Sequence, residues 1–158
     1  MKTNLQAFLD MLAMSEIGAP LLAVSDKGYN VIVGSTSTHP DLFRSYADHP
    51  RKLVNLGHGL KSTAAGRYQI LERYFDSYKL LMKLPDFSPA SQDAIATQMI
   101  RERYALPLIE AGNIVGAIHL CSNIWASLPG NSYGQHTNAL TALVTDYKTA
   151  GGNYVELA

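Results

Sequence analysis

The sequence has one cysteine, one tryptophan and no excess of either charge among its 158 residues. The lone Cys121 excludes an intramolecular disulfide, so nothing covalent staples the fold. A chain of this length can build a real apolar core without one, and the reading is a single domain, 1–158, made in the reducing cytosol. The 13 Lys and Arg balance the 13 Asp and Glu, with no basic block and no aromatic-basic stripe. That balance excludes nucleic acid and anionic membrane as expected partners. Long hydrophobic runs are missing as well. No stretch approaches the length of a membrane span, and Gln6 and Asp10 interrupt the first apolar residues before a signal-peptide core forms, so no export signal is expected. The five histidines lack metal-ligand spacing, and His119 and Cys121 read as an exposed and a stripe position of one helix. Gly57-His58-Gly59-Leu60-Lys61-Ser62-Thr63 lacks the glycine that a phosphate loop needs directly before its lysine. No cofactor and no metal is expected.

What is present is helical periodicity. Leu5, Phe8, Leu9 and Leu12 form a stripe at i, i+3, i+4 and i+7, closed by Gly18 and Pro20. Residues 21–24 and 29–34 are short β-prone runs around the turn chemistry of Ser25-Asp26-Lys27-Gly28, which predicts a hairpin. Residues 35–50 read as a loop and 52–56 as a third strand. A Ser62/Thr63 cap then predicts a central helix carrying Tyr68, Leu71, Phe75, Tyr78 and Met82 up to Pro85. Ser88-Pro89 opens a helix running towards Pro107, Asn113 caps one carrying Ile114, Ala117, Ile118 and Cys121, and Leu140, Leu143, Val144 and Tyr147 mark the last. The expected class is α+β, mainly helical, with its few strands between residues 21 and 56.

Glu16 lies four residues beyond Leu12, on the buried face and in the last helical turn. Partial desolvation and the negative end of the helix dipole both disfavour its anion and raise its pKa. A carboxyl that is protonated near neutral pH is what a general acid requires; the plainer reading is a surface Glu at a frayed helix end. Aromatic and polar residues also gather in turns, at Ser62 to Gln69, at Asn123 to Gly130 around Trp125, and at Tyr133-Gly134-Gln135. Aromatic faces beside amides and hydroxyls suit a sugar, although singly Trp125 reads as core, Gln69 as solvated helix and Tyr133 as a loop anchor.

Longer runs carry a resemblance. Phe8-Leu9-Asp10-Met11-Leu12-Ala13, Ser15-Glu16, Asp48-His49-Pro50-Arg51-Lys52-Leu53-Val54, Lys61-Ser62-Thr63, Ala65-Gly66-Arg67-Tyr68-Gln69, Cys121 to Gly130 and Tyr133-Gly134-Gln135 resemble, in this order, the lambda-endolysin family of lysozyme-like lytic transglycosylases. The likeness spans residues 8–152. Departures fall at Met14, at Ile17 and through residues 17–25.

The resemblance implies a lysozyme-like fold with a cleft between two lobes, and lips near 52–61 and 129–140. It implies cleavage of peptidoglycan between N-acetylmuramic acid and N-acetylglucosamine, with Glu16 as catalytic acid. It also likens Ala65-Gly66 with Gln69 to a Gly-x-x-Gln element lining the glycan site. Ser62, Tyr68, Gln69, Tyr133, Trp125 and His49 are the expected substrate-binding residues. The family implies a monomer that accumulates in the host cytoplasm and depends on a phage membrane-lesion protein, a holin, to reach the wall. Asp10 points about 240° around the helix from Glu16, so a second carboxylate has to come from elsewhere. Asp48 is the candidate if the reaction is a hydrolysis. A glycan-binding module without activity is the remaining alternative.

Overall fold

The computed structural model describes residues 1–130 and 138–157. In chain order its elements are α1 (Asn4–Glu16), α2 (Ala19–Ala23), β1 (Val54–Gly57), β2 (Leu60–Ser62), α3 (Glu72–Met82), α4 (Pro89–Glu102), α5 (Leu106–Glu110), α6 (Ile114–Cys121) and α7 (Leu140–Thr149). The fold is mainly helical with one two-stranded antiparallel sheet, as expected for its class. The chain forms two compact units, one of Met1–Glu16 with Ala96–Ala158 and one of Ile17–Ile95. No helix among the described residues is long and apolar enough to cross a membrane.

In the first unit α1 is nucleated by a reciprocal capping box. The Gln6 N–H donates to Thr3 Oγ1 at 3.2 Å and the Thr3 N–H donates to Gln6 Oε1 at 2.9 Å. The stripe then buries Ala7, Phe8, Leu9, Met11, Leu12 and Ala13, and α1 packs on α5 and α7. Asn113 caps α6 as expected, its Oδ1 accepting from the Gly116 N–H at 3.0 Å. Ile114, Ala117, Ile118 and Cys121 are all buried. The separate short α5 follows where the sequence predicts only a helix end, because Pro107 occupies its first turn, where a missing N–H costs nothing.

In the second unit two expectations are corrected. There is no hairpin over 21–34. Pro20 starts the short helix α2, and the Ser25 hydroxyl donates to the Leu21 carbonyl and accepts from the Gly28 N–H. A four-residue apolar run does not by itself separate strand from helix. Val31 and Ile32 instead form isolated bridges with Leu42 and Ala65. The strand expected at 52–56 appears as β1 and pairs with β2, with Val54 opposite Ser62 and Asn55 opposite Lys61.

The central helix also begins later than its periodicity predicts, at Glu72. Residues 65–70 fold back on themselves through an Ala65–Ile70 bridge, with Gly66 at φ 82° and Gln69 at φ 50°. Two left-handed residues this close end any helix. A Cβ at Gly66 would collide with the Gln92 side chain, which is why glycine stands there. Thr63 is not the N-cap of α3, a position held by Leu71 without a side-chain cap, but its Oγ1 still accepts from the Glu72 N–H at 3.1 Å from nine residues earlier. Behind the turn the unit's core gathers Phe75, Phe87 and His49, with ring centroids 4.9 to 5.8 Å apart.

Candidate active site

Glu16 is the last residue of α1, so the buried stripe carries it to the helix end. Its Oε1 accepts a 2.9 Å hydrogen bond from Ser127 Oγ. Ser127 Oγ lies 2.7 Å from Ser15 Oγ. Asn138 Nδ2 donates to Ser15 Oγ at 2.9 Å and to the Ser15 carbonyl at 3.2 Å. The Asn138 N–H donates in addition to the Ser127 carbonyl at 2.8 Å, so one residue grips both the end of α1 and the turn that carries Ser127. That turn continues from α6: the Trp125 N–H bonds the Cys121 carbonyl and the Leu128 N–H bonds the Trp125 carbonyl. Trp125 is 3% exposed and anchors the turn by burial, the usual service of a large aromatic side chain.

Burial pushes the Glu16 carboxyl from its ordinary value of 4.5 up to about 7, while the Ser127 hydroxyl, which favours the anion, acts in the opposite sense. The direction matches the sequence reading, with desolvation as its leading cause. A carboxyl balanced near 7 is divided between acid and conjugate base at neutral pH, so it can give a proton or take one.

The second unit holds four of the expected substrate-binding residues. Gln69 is half-buried, with Nε2 donating to the Gly66 carbonyl at 2.9 Å. Ser62 is half-buried at the end of β2, its Oγ accepting from the Ala64 N–H. Tyr68 and His49 are instead buried behind the turn. The Tyr68 hydroxyl donates to Asp93 Oδ1 at 2.5 Å beside the Tyr29 hydroxyl at 2.9 Å. Burial and the Asp93 charge push both phenols upward, Tyr29 to about 12. His49 Nδ1 accepts from the Arg51 N–H at 3.0 Å, which assigns its hydrogen to Nε2, donating to the Ile70 carbonyl at 2.9 Å. Burial lowers its pKa and keeps the ring neutral. Tyr133 lies outside the described residues.

Asp48, the possible second carboxylate, has both oxygens on Arg51, at 2.7 and 3.2 Å. The guanidinium holds it below the ordinary carboxylate range. Among the described residues no cluster of three His, Cys, Asp or Glu side chains is arranged to hold a metal ion.

The Endolysin family model matches residues 6–154 of this chain. The chain belongs to the endolysin family. It is 52% identical over 153 residues to the endolysin of Escherichia phage lambda, covering 96% of this chain and 94% of that one. To the endolysin of Escherichia phage P2 it is 50% identical over 155 residues, covering 94% and 93%. Among solved structures this endolysin is similar to bacteriophage lambda lysozyme complexed with a chitohexasaccharide, with a TM-score of 0.91, 51% identity and 98% of each chain covered. It is similar also to lysozyme from bacteriophage lambda, at a TM-score of 0.86 and 50% identity over 98% of each chain.

The residues that the sequence reading missed in this endolysin are the partners of Glu16. Ser127 stands 111 residues from it, and Asn138 stands 123 residues from Ser15. Ser15 and Ser127 lie in runs that carry the family resemblance, but no periodicity or spacing pairs them. Asn138 has no local signal at all, because it acts through a side chain that only the packing of α1 brings within reach.

Proposed function

We propose that this endolysin is a peptidoglycan lytic transglycosylase, cleaving the β-1,4 bond between N-acetylmuramic acid and N-acetylglucosamine. The observation that carries the reading is the single carboxyl at Glu16 with its pKa near 7. In the proposed reaction Glu16 gives its proton to the glycosidic oxygen as the bond to the muramoyl anomeric carbon breaks, and N-acetylglucosamine leaves with a hydroxyl. The Glu16 carboxylate then takes the proton of the muramoyl C6 hydroxyl as that oxygen bonds to the anomeric carbon. The product is a 1,6-anhydro sugar, the carboxyl is regenerated, and no water is consumed. Because the nucleophile is tethered to the carbon it attacks, proximity replaces a positioned water.

One group serving as acid and then as base is best placed near the working pH. The engagement of both Asp48 oxygens by Arg51 also speaks against Asp48 as a poised base. The similar lambda lysozyme was solved with a chitohexasaccharide, an oligosaccharide chemically akin to the glycan of peptidoglycan. Gln69, Ser62 and Tyr133 hold the sugar in this reading. Tyr68, His49 and Trp125 shape the turns behind it. The protein acts as a monomer without a cofactor, and reaches the wall from the host cytoplasm through a holin-made lesion.

Mass spectrometry of purified peptidoglycan digested by the unmutated protein and by Glu16→Gln tests this. Anhydro-muropeptides from the first and none from the second are expected. Reducing-end products would make the enzyme a hydrolase. Wall binding with no product from the unmutated protein would leave only a binding module.

A further inference from the structure

We propose that Asn138, Ser15 and Ser127 form a one-way chain of hydrogen-bond donors ending on Glu16 Oε1, which leaves Oε2 as the oxygen that carries and delivers the proton. The inference rests on Glu16 being the acid and base of the reaction.

Direction follows from what each atom can do. The Ser15 carbonyl only accepts, so the Asn138 amide must turn its NH2 towards it, at 3.2 Å. The second N–H of the same nitrogen then points at Ser15 Oγ, at 2.9 Å. With Ser15 Oγ accepting from Asn138, its own hydrogen goes to Ser127 Oγ at 2.7 Å. The Ser127 hydrogen in turn goes to Glu16 Oε1 at 2.9 Å. Each hydroxyl donates once and accepts once. The opposite sense would have Ser15 Oγ accept from both neighbours while its own hydrogen found no acceptor among the described residues, a cost of the kind part-buried polar groups avoid.

With Oε1 occupied by a donor, the proton of the neutral acid resides on Oε2. The same oxygen is then the natural acceptor in the second half of the reaction. Ser127, Ser15 and Asn138 need not touch substrate to do this and are positioning residues. No competing charge clouds the assignment among the described residues. Glu16 responds to burial and to Ser127, whereas Asp10 on α1, Glu110 on α5, and Asp146 and Lys148 on α7 do not figure among the causes of its shift.

The experiment is the pH dependence of kcat/KM for solubilisation of purified peptidoglycan, which reports the free-enzyme acid. For the unmutated protein the alkaline limb should have its midpoint at about 7. Ser127→Ala removes the donor that favours the anion and should raise the midpoint by about one to two pH units, with Ser127→Thr restoring it. Asn138→Asp keeps the shape but turns donors into acceptors. The Ser15 hydrogen then turns back to the aspartate, so Ser127 no longer accepts from Ser15, and Ser15 Oγ competes with Glu16 for the Ser127 hydrogen, which weakens the bond to Oε1. This variant should move the midpoint upward too. Pairing it with Ser15→Ala retains the added charge but cuts the chain, so the double variant should shift less.

An unmoved midpoint in Ser127→Ala, with Glu16→Gln inactive, would overturn the donor chain and leave the acid in place. Equal shifts in Asn138→Asp with and without Ser15→Ala would overturn the direction. Activity in Glu16→Gln would overturn the underlying reading itself.

Discussion

Holding the half-buried Glu16 carboxyl partly out of water exacts a stability cost whose sign follows from linkage. Its folded pKa of about 7 stands above the ordinary 4.5, so the folded state binds the proton more tightly than the unfolded chain. Its contribution is fullest below 4.5 and is lost as pH rises through 7. Glu16→Gln, which cannot ionise, should therefore melt close to the unmutated protein at pH ~4 and be more stable at pH ~8 by roughly 3 kcal/mol. Calorimetry at the two pH values checks this, and an equal difference at both would contradict it. Gly66 illustrates the opposite dependence, on shape. A Cβ there would strike Gln92, whose buried amide accepts from the Arg67 N–H and donates to the Tyr29 and Phe87 carbonyls. Gly66→Ala should cost about 3 kcal/mol or more, read as a lowered urea midpoint, because strain at φ 82° adds to the displaced hydrogen bonds.

At the scale of elements, α6 combines a cap and a buried face in eight residues. Asn113→Ala should lower stability by about 1 kcal/mol, and Asn113→Ser should recover most of it. Cys121 on the buried face of the same helix has its thiol pushed up to about 12 by burial. It should not react with a disulfide reagent until the protein unfolds, a time course that absorbance follows directly. Elements also differ in how legible they were. The helices α1, α4, α6 and α7 could be read from their stripes and caps, since burial of one face and satisfaction of terminal N–H groups are local demands. The start of α3 could not. Tyr68 and Leu71 fit its period, yet the Ala65–Ile70 bridge and the Asp93 bond to Tyr68 pull them into a turn. Long-range hydrogen bonds overrode a helical pattern that was real from Glu72 onward.

For the whole molecule the absence of net charge is the controlling quantity. With 13 charges of each sign, mutual repulsion between copies is weakest near neutral pH. Light scattering of concentrated samples should therefore be highest near pH 7 and fall towards pH 5 and pH 9. A flat profile would show that local patches, not net charge, govern association.

The sequence by itself determined the fold class, the family and the position of Glu16 at the end of a buried helical stripe, because composition, periodicity and family motifs are written in order along the chain. Tertiary structure alone decided how that carboxyl is held. Ser127 comes from 111 residues beyond Glu16 and Asn138 from 123 residues beyond Ser15, and hydrogen-bond partners that distant leave no period to read. The same holds for His49 and Tyr68. Their residue types suit a sugar site, but burial is a property of neighbours contributed by other segments, and here it turns both inward to support the 65–70 turn.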